Sequence, residues 1–105
     1  MKYNLLDDCI AKYFREKRLS AKYSSYYVAE RLGIPKSTYY YYEIGKVSMP
    51  KDTMKKLLSL YNEDGDELLD EMQKACNRYL TDLYAYLHGY EVSVSFMEGE
   101  QDAGL

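Results

Sequence analysis

Residues 29 to 50, Ala-Glu-Arg-Leu-Gly-Ile-Pro-Lys-Ser-Thr-Tyr-Tyr-Tyr-Tyr-Glu-Ile-Gly-Lys-Val-Ser-Met-Pro, constrain this chain more than any other stretch. They read as the end of one helix, a tight turn, a second short helix and a Gly-Lys loop. Ala29 is small enough to let two helices approach closely, Gly33 suits a left-handed helix-closing position, and Pro35 suits the first position of the next helix. That helix is predicted from about residue 35 or 36 to residue 44, where Gly45 ends it. Pro50 with Asp52 then restarts the chain into another.

Helical spacing organises the rest. Asn4 is a good N-cap with Asp7 three residues on, and Leu6, Ile10, Tyr13, Phe14 and Lys17 follow at helical steps, predicting helix 1 over residues 5 to 19. Ser24 or Ser25 caps helix 2, whose face is Tyr27, Val28, Ala29 and Leu32; Met54, Leu57, Leu58 and Tyr61 mark helix 4. After a turn at residues 62 to 66, Asp66 is the expected cap of helix 5. The stripe Leu69, Met72, Cys76, Tyr79, Leu80, Leu83, Tyr86 and Leu87 runs about five turns, longer than one small core needs.

Residues 90 to 96 alternate in period two, predicting a strand with Val92, Val94 and Phe96 on one face. A lone strand leaves its backbone groups unpaired, and the long stripe must also be covered. Both point to a homodimer through Tyr79, Leu83, Tyr86, Leu87, Val92, Val94 and Phe96, or to another protein pairing with the strand. The expected fold is therefore all-α: five helices, the last extended, with a short C-terminal strand. Residues 1–64 form the helical domain, 65–96 a dimerisation extension, and 97–105 an acidic tail expected to be disordered.

Charge divides along the same boundary. Residues 1 to 62 hold 12 Lys/Arg against 6 Asp/Glu, a balance of +6, whereas residues 63 to 105 hold 2 against 11, a balance of −9. The overall charge of −3 hides this separation, which suits a polyanion-facing domain with an acidic extension directed away from it. Cys9 and Cys76 are too far apart for a metal or redox motif, and His88 is the single histidine. Both thiols are expected in the core of a protein from a reducing compartment, with no metal and no cofactor. The sequence offers no nucleophile-base pair and no phosphate-binding glycine loop, so enzymatic activity is not expected. With no run of 18 apolar residues and no basic-then-apolar leader, a cytoplasmic protein without membrane contact is expected.

Through Arg18, Ala29, Gly33, Ser37-Thr38, and Glu43-x-Gly45-Lys46 followed by Pro50, the chain resembles the Xre/Cro family of lambda-repressor-like helix-turn-helix domains over roughly residues 5 to 70. The resemblance implies a sequence-specific regulator of transcription that binds double-stranded DNA as a dimeric repressor of phage or mobile-element type. Several members of that family bind protein instead, so an antitoxin-type or inhibitor-type interaction module is the alternative. It also implies that the second helix of the motif enters the major groove.

With Glu43-x-Gly45 as anchor, Lys36, Ser37, Tyr40 and Tyr41 fall on the outward side as base readers, while Tyr39 and Tyr42 turn inward. Glu43 matches the family's buried acid and Arg18 its partner in a structural ion pair. Lys22, Ser24, Ser25, Lys46, Ser48 and Lys51 are the phosphate candidates. Two positions depart from the family pattern: Ser25 replaces a common glutamine, and Lys22 replaces a glycine that often closes the turn after helix 1.

Overall fold

A computed structural model describes residues 4–89; the segments 90–96 and 97–105, and with them Val92, Val94 and Phe96, lie outside the described residues. Five helices follow one another: α1 (Leu5–Ser20), α2 (Ser25–Leu32), α3 (Lys36–Glu43), α4 (Lys51–Leu60) and α5 (Asp66–Leu87).

Side chains begin the first two helices. Asn4 Oδ1 accepts from the Asp7 N–H at 2.9 Å, and Ser24 Oγ from the Tyr27 N–H at 3.0 Å. One proline acts differently from expectation. Pro35 occupies the N-cap rather than the first helical position, and Pro50, which restarts the chain as expected, is likewise an N-cap, with φ of −61° and −63° and extended ψ of 148° and 152°. Their rings fix φ, but neither supplies a side-chain acceptor to the helix it precedes. The start of α5 also differs: Asp66 is already helical, the Leu69 N–H donates to the Gly65 carbonyl, and Asp64 Oδ1 takes the Asp66 N–H at 2.9 Å.

One device closes the first four helices. A residue in the left-handed conformation, Lys22 (φ 62°), Gly33 (73°), Gly45 (76°) or Asn62 (57°), lets its own N–H and the next one turn back onto two late carbonyls of the helix. At α3 these bonds run from Gly45 to Tyr42 and from Lys46 to Tyr41. Lys22 achieves the same turn with a side chain that disfavours it.

Ile10, Tyr13 and Phe14 of α1 meet Val28, Ala29 and Leu32 of α2, Tyr39 of α3, Met49, Leu57 of α4 and Leu68 of α5 in one apolar cluster. Helix α3 packs on both α1 and α2, and α2 also packs on α4. Val28 and Leu57 are fully buried, each contributing about 1.5 to 3 kcal/mol relative to exposure. The phase of α5 corrects the expected stripe. Leu68 and Leu69 both fit the helical step to Met72, yet Leu68 is buried and Leu69 exposed.

The chain divides into two compact units, the first ending at Met72 and the second beginning at Gln73. In the second, Ala75 is buried, Leu83 half-buried, and Tyr79, Leu80, Tyr84, Tyr86 and Leu87 are exposed. The Tyr84 ring meets His88 edge-on at 4.1 Å. Cys9 and Cys76 are not joined in a disulfide, and both are half-buried rather than in the core.

Candidate nucleic-acid interface

Tyrosine is a mediocre helix former, so the run from Tyr39 to Tyr42 is held helical by what its members touch. Tyr39 is buried in the apolar cluster, and Tyr42 packs half-buried against its edge. The other side of α3 faces solvent: Tyr40 is 54% and Tyr41 41% exposed, and Lys36 and Ser37 are exposed one turn earlier. Steps of one and four residues put these side chains on one side of the helix. Their rings and hydroxyls, with one ammonium, form a surface able both to donate hydrogen bonds and to make apolar contact.

The opposite end of α3 is tied to α1. Arg18 Nε donates to Glu43 Oε2 at 2.5 Å and Nη2 to Oε1 at 3.3 Å, while Nη1 reaches the Tyr23 carbonyl at 2.9 Å. Tyr39 donates its hydroxyl to Glu43 Oε2 at 3.1 Å. The carboxylate is buried but fully engaged, as a buried charge must be. Donating to the Glu43 carboxylate raises the Arg18 pKa against the opposing effect of burial. Burial, with the nearby Glu43 charge, pushes the Tyr39 hydroxyl well above its ordinary value. Tyr61 lies in the same field; burial raises its pKa to about 12, and its hydroxyl has no hydrogen-bond partner among the described residues.

Arg15 joins this end of the helix and was not legible as a site residue. Its Nη1 donates to the Glu43 main-chain carbonyl at 2.8 Å. The available signal was its position three residues before Arg18, on the same side of α1.

The residues that could meet phosphate are distributed on either side of α3 along the chain. Lys22 and Ser24 are exposed in the α1–α2 turn, and Ser25 is half-buried at the first position of α2. Lys46, Ser48 and Lys51 are exposed in the α3–α4 loop and at the start of α4. The Lys46 ammonium stands 5.2 Å from the centre of the Tyr41 ring, which links one candidate phosphate ligand to one candidate base reader. Ser48 Oγ is already committed, donating to Asp7 Oδ2 at 2.6 Å. Tyr26, 63% exposed, lines a shallow depression with Ala29, Glu30, Ile34, Pro35 and Lys36 beside the α2–α3 turn.

Lys17, by contrast, is consumed internally. Lys17 pairs with Glu63 at 2.7 Å and Glu67 at 2.9 Å, and Tyr13 donates to Glu67 Oε1 at 3.2 Å. Among the described residues there is no cluster of His, Cys, Asp and Glu able to hold a metal ion. No described helix is long and apolar enough to cross a membrane.

Four helices and the first turn of a fifth packed around one core, with a short α2 and α3 joined by a tight glycine turn, define a helix-turn-helix protein. The family model described as helix-turn-helix matches residues 14–68, more than half of the chain, and the protein belongs to that family, of Xre and lambda-repressor type. Its members are DNA-binding regulators and typically not enzymes. No curated protein and no solved structure matches the chain.

Proposed function

We propose that the protein is a sequence-specific regulator, a dimeric repressor of phage or mobile-element type, that reads the major groove of double-stranded DNA with α3. The observation carrying this reading is the division of α3: Tyr39 and Glu43 are buried, whereas Lys36, Ser37, Tyr40 and Tyr41 are exposed on one side. Lys36 donates to guanine N7 and O6, Ser37 accepts or donates at either base pair, and Tyr40 and Tyr41 meet thymine methyls or donate their hydroxyls.

Lys22, Lys46 and Lys51, with backbone N–H groups at Ser24 and Ser25, hold phosphates and set the register. Residues 1–64 carry this reading surface. Residues 65–96 form the dimerisation extension, through Tyr79, Leu83, Tyr86 and Leu87 of α5 and the segment 90–96. One eight-residue helix gives too few base contacts to discriminate against bulk DNA, so two copies bind half-sites about one DNA turn apart.

The exposed Leu80, Tyr86 and Leu87 of α5, in the acidic part of the chain, support a second reading in which this scaffold binds protein as an antitoxin or inhibitor does. Selection of duplexes from a random pool, followed by titration at several salt concentrations, separates the two. The repressor reading expects one enriched motif with two-fold symmetry and an affinity that falls steeply with salt as counterions are released. A pool that yields no enriched sequence refutes it.

A further inference from the structure

We infer that Arg15 is a positioning residue for the reading helix: it sets the orientation of α3 from the helix's C-terminal end without touching DNA. The inference rests on the proposal that α3 reads DNA. At the C-terminus of any helix the last carbonyls lack intrahelical partners. In α3 two of them are taken by the closing turn, Tyr42 by the Gly45 N–H and Tyr41 by the Lys46 N–H. The Glu43 carbonyl is instead taken by the Arg15 guanidinium at 2.8 Å.

This bond differs in kind from the one beside it. Arg18 holds the end of the Glu43 side chain, separated from the backbone by rotatable bonds. Arg15 holds the main chain itself, and it places a cation at the negative end of the helix dipole. At the N-terminal end of α3, Pro35 provides no side-chain cap. Two guanidiniums three residues apart on α1 therefore grip side chain and backbone of one residue, fixing both the axial position and the rotation of α3. A small rotation of α3 about its axis would carry Lys36 and Tyr40 off the base edges they meet.

Replacing the guanidinium while keeping the stem, Arg15→Met, isolates the effect, and Arg15→Lys supplies one donor back. Binding of each full-length variant is measured on the duplex selected by the parent and on an unrelated duplex of equal length, at a temperature where circular dichroism shows full folding. The expected result for Arg15→Met is about a tenfold loss on the selected duplex and little change on the unrelated one. The slope of log affinity against log salt stays that of the parent, and Arg15→Lys recovers part of the loss. In the free protein, amide chemical shifts should move chiefly within residues 36 to 46.

Unchanged affinity for the selected duplex overturns the inference. So does an equal loss on both duplexes with a salt slope reduced by about 0.9, because that marks a direct phosphate contact. Should Arg15→Met fail to fold, the Arg15→Lys data decide alone, and parental affinity together with parental shifts refutes the assignment. If the parent selects no duplex, the reading of α3 as a DNA reader fails. The amide shifts of the free variants still report whether Arg15 positions that helix.

Discussion

Replacing Lys22 by glycine should make the protein more stable and a weaker DNA binder at once. Lys22 closes α1 at φ 62°, a conformation that costs a residue with a Cβ about 1 to 2 kcal/mol. Glycine removes that cost but gains freedom in the unfolded chain, returning roughly 0.4 to 1 kcal/mol of it. The net expectation is a gain of about 0.5 to 1 kcal/mol, which for a domain of this size raises the melting midpoint by about 2 to 6 °C. Against DNA the same change removes an exposed cation, so the slope of log affinity against log salt should fall by about 0.9. Lys22→Ala is the control: it loses the charge but keeps the unfavourable backbone, so it should show the reduced slope without the raised midpoint. Scanning calorimetry of the three proteins and titrations at four or five salt concentrations measure both quantities. A lower midpoint for Lys22→Gly refutes the argument from strain, and a parental salt slope refutes the phosphate contact. Should both expectations hold, the lysine is kept at a glycine position for what it binds, consistent with strain collecting at functional sites.

Glu43→Gln should lower stability by about 3 kcal/mol, because it leaves the Arg18 guanidinium shielded without its counter-charge; a calorimetric midpoint equal to the parent's would count against burial of the pair. Lys36→Ala and Tyr40→Ala should each cost about 1 to 3 kcal/mol on the selected duplex and relax its sequence preference, read out by repeating the selection with each variant. Alkaline pH should destabilise the fold: Tyr61 and Tyr13 titrate near 10 in the unfolded chain but at about 12 when folded, mainly through burial, so the neutral hydroxyls favour the folded state below pH 10 and that contribution is lost as pH rises through 12. Tyr61→Phe should shrink this alkaline loss. At pH 7 it should leave stability unchanged or higher, since the buried hydroxyl has no hydrogen-bond partner among the described residues; a drop of more than about 1 kcal/mol in a denaturant titration would argue against that.

Legibility from sequence followed the kind of signal each element carried. The helices and their ends were readable because local chemistry decides them: Asn4 and Ser24 cap, and Gly33 and Gly45 take the left-handed turn, whatever lies elsewhere. The phase of α5 was not, because Leu68 and Leu69 are equally compatible with Met72. Which one faces the core depends on how the turn at Gly65 delivers the helix, a tertiary matter. Pro35 stands at the N-cap rather than at the first helical position for a related reason. A fixed φ near −61° fits both the N-cap and the first helical position, and only ψ, which proline's ring leaves free, tells them apart.

The same distinction separates what could be read of the site from what could not. Alternation of buried and exposed residues on α3 is a property of one helix, so the outward set Lys36, Ser37, Tyr40 and Tyr41 follows from a 100° step once Glu43 is turned inward. Arg15 is different, because its partner is a main-chain carbonyl that has no signature in the sequence. Any residue at position 43 would present the same oxygen. A side-chain pair such as Arg18 with Glu43 announces itself by complementary charge, whereas a guanidinium bound to backbone is visible only when two helices are already docked. For a reading helix of eight residues this matters more than it would for a long one. Its core contacts come from one side only, through Tyr39, Tyr42 and the buried Glu43, so the two guanidiniums at its C-terminal end add to the precision on which base recognition depends.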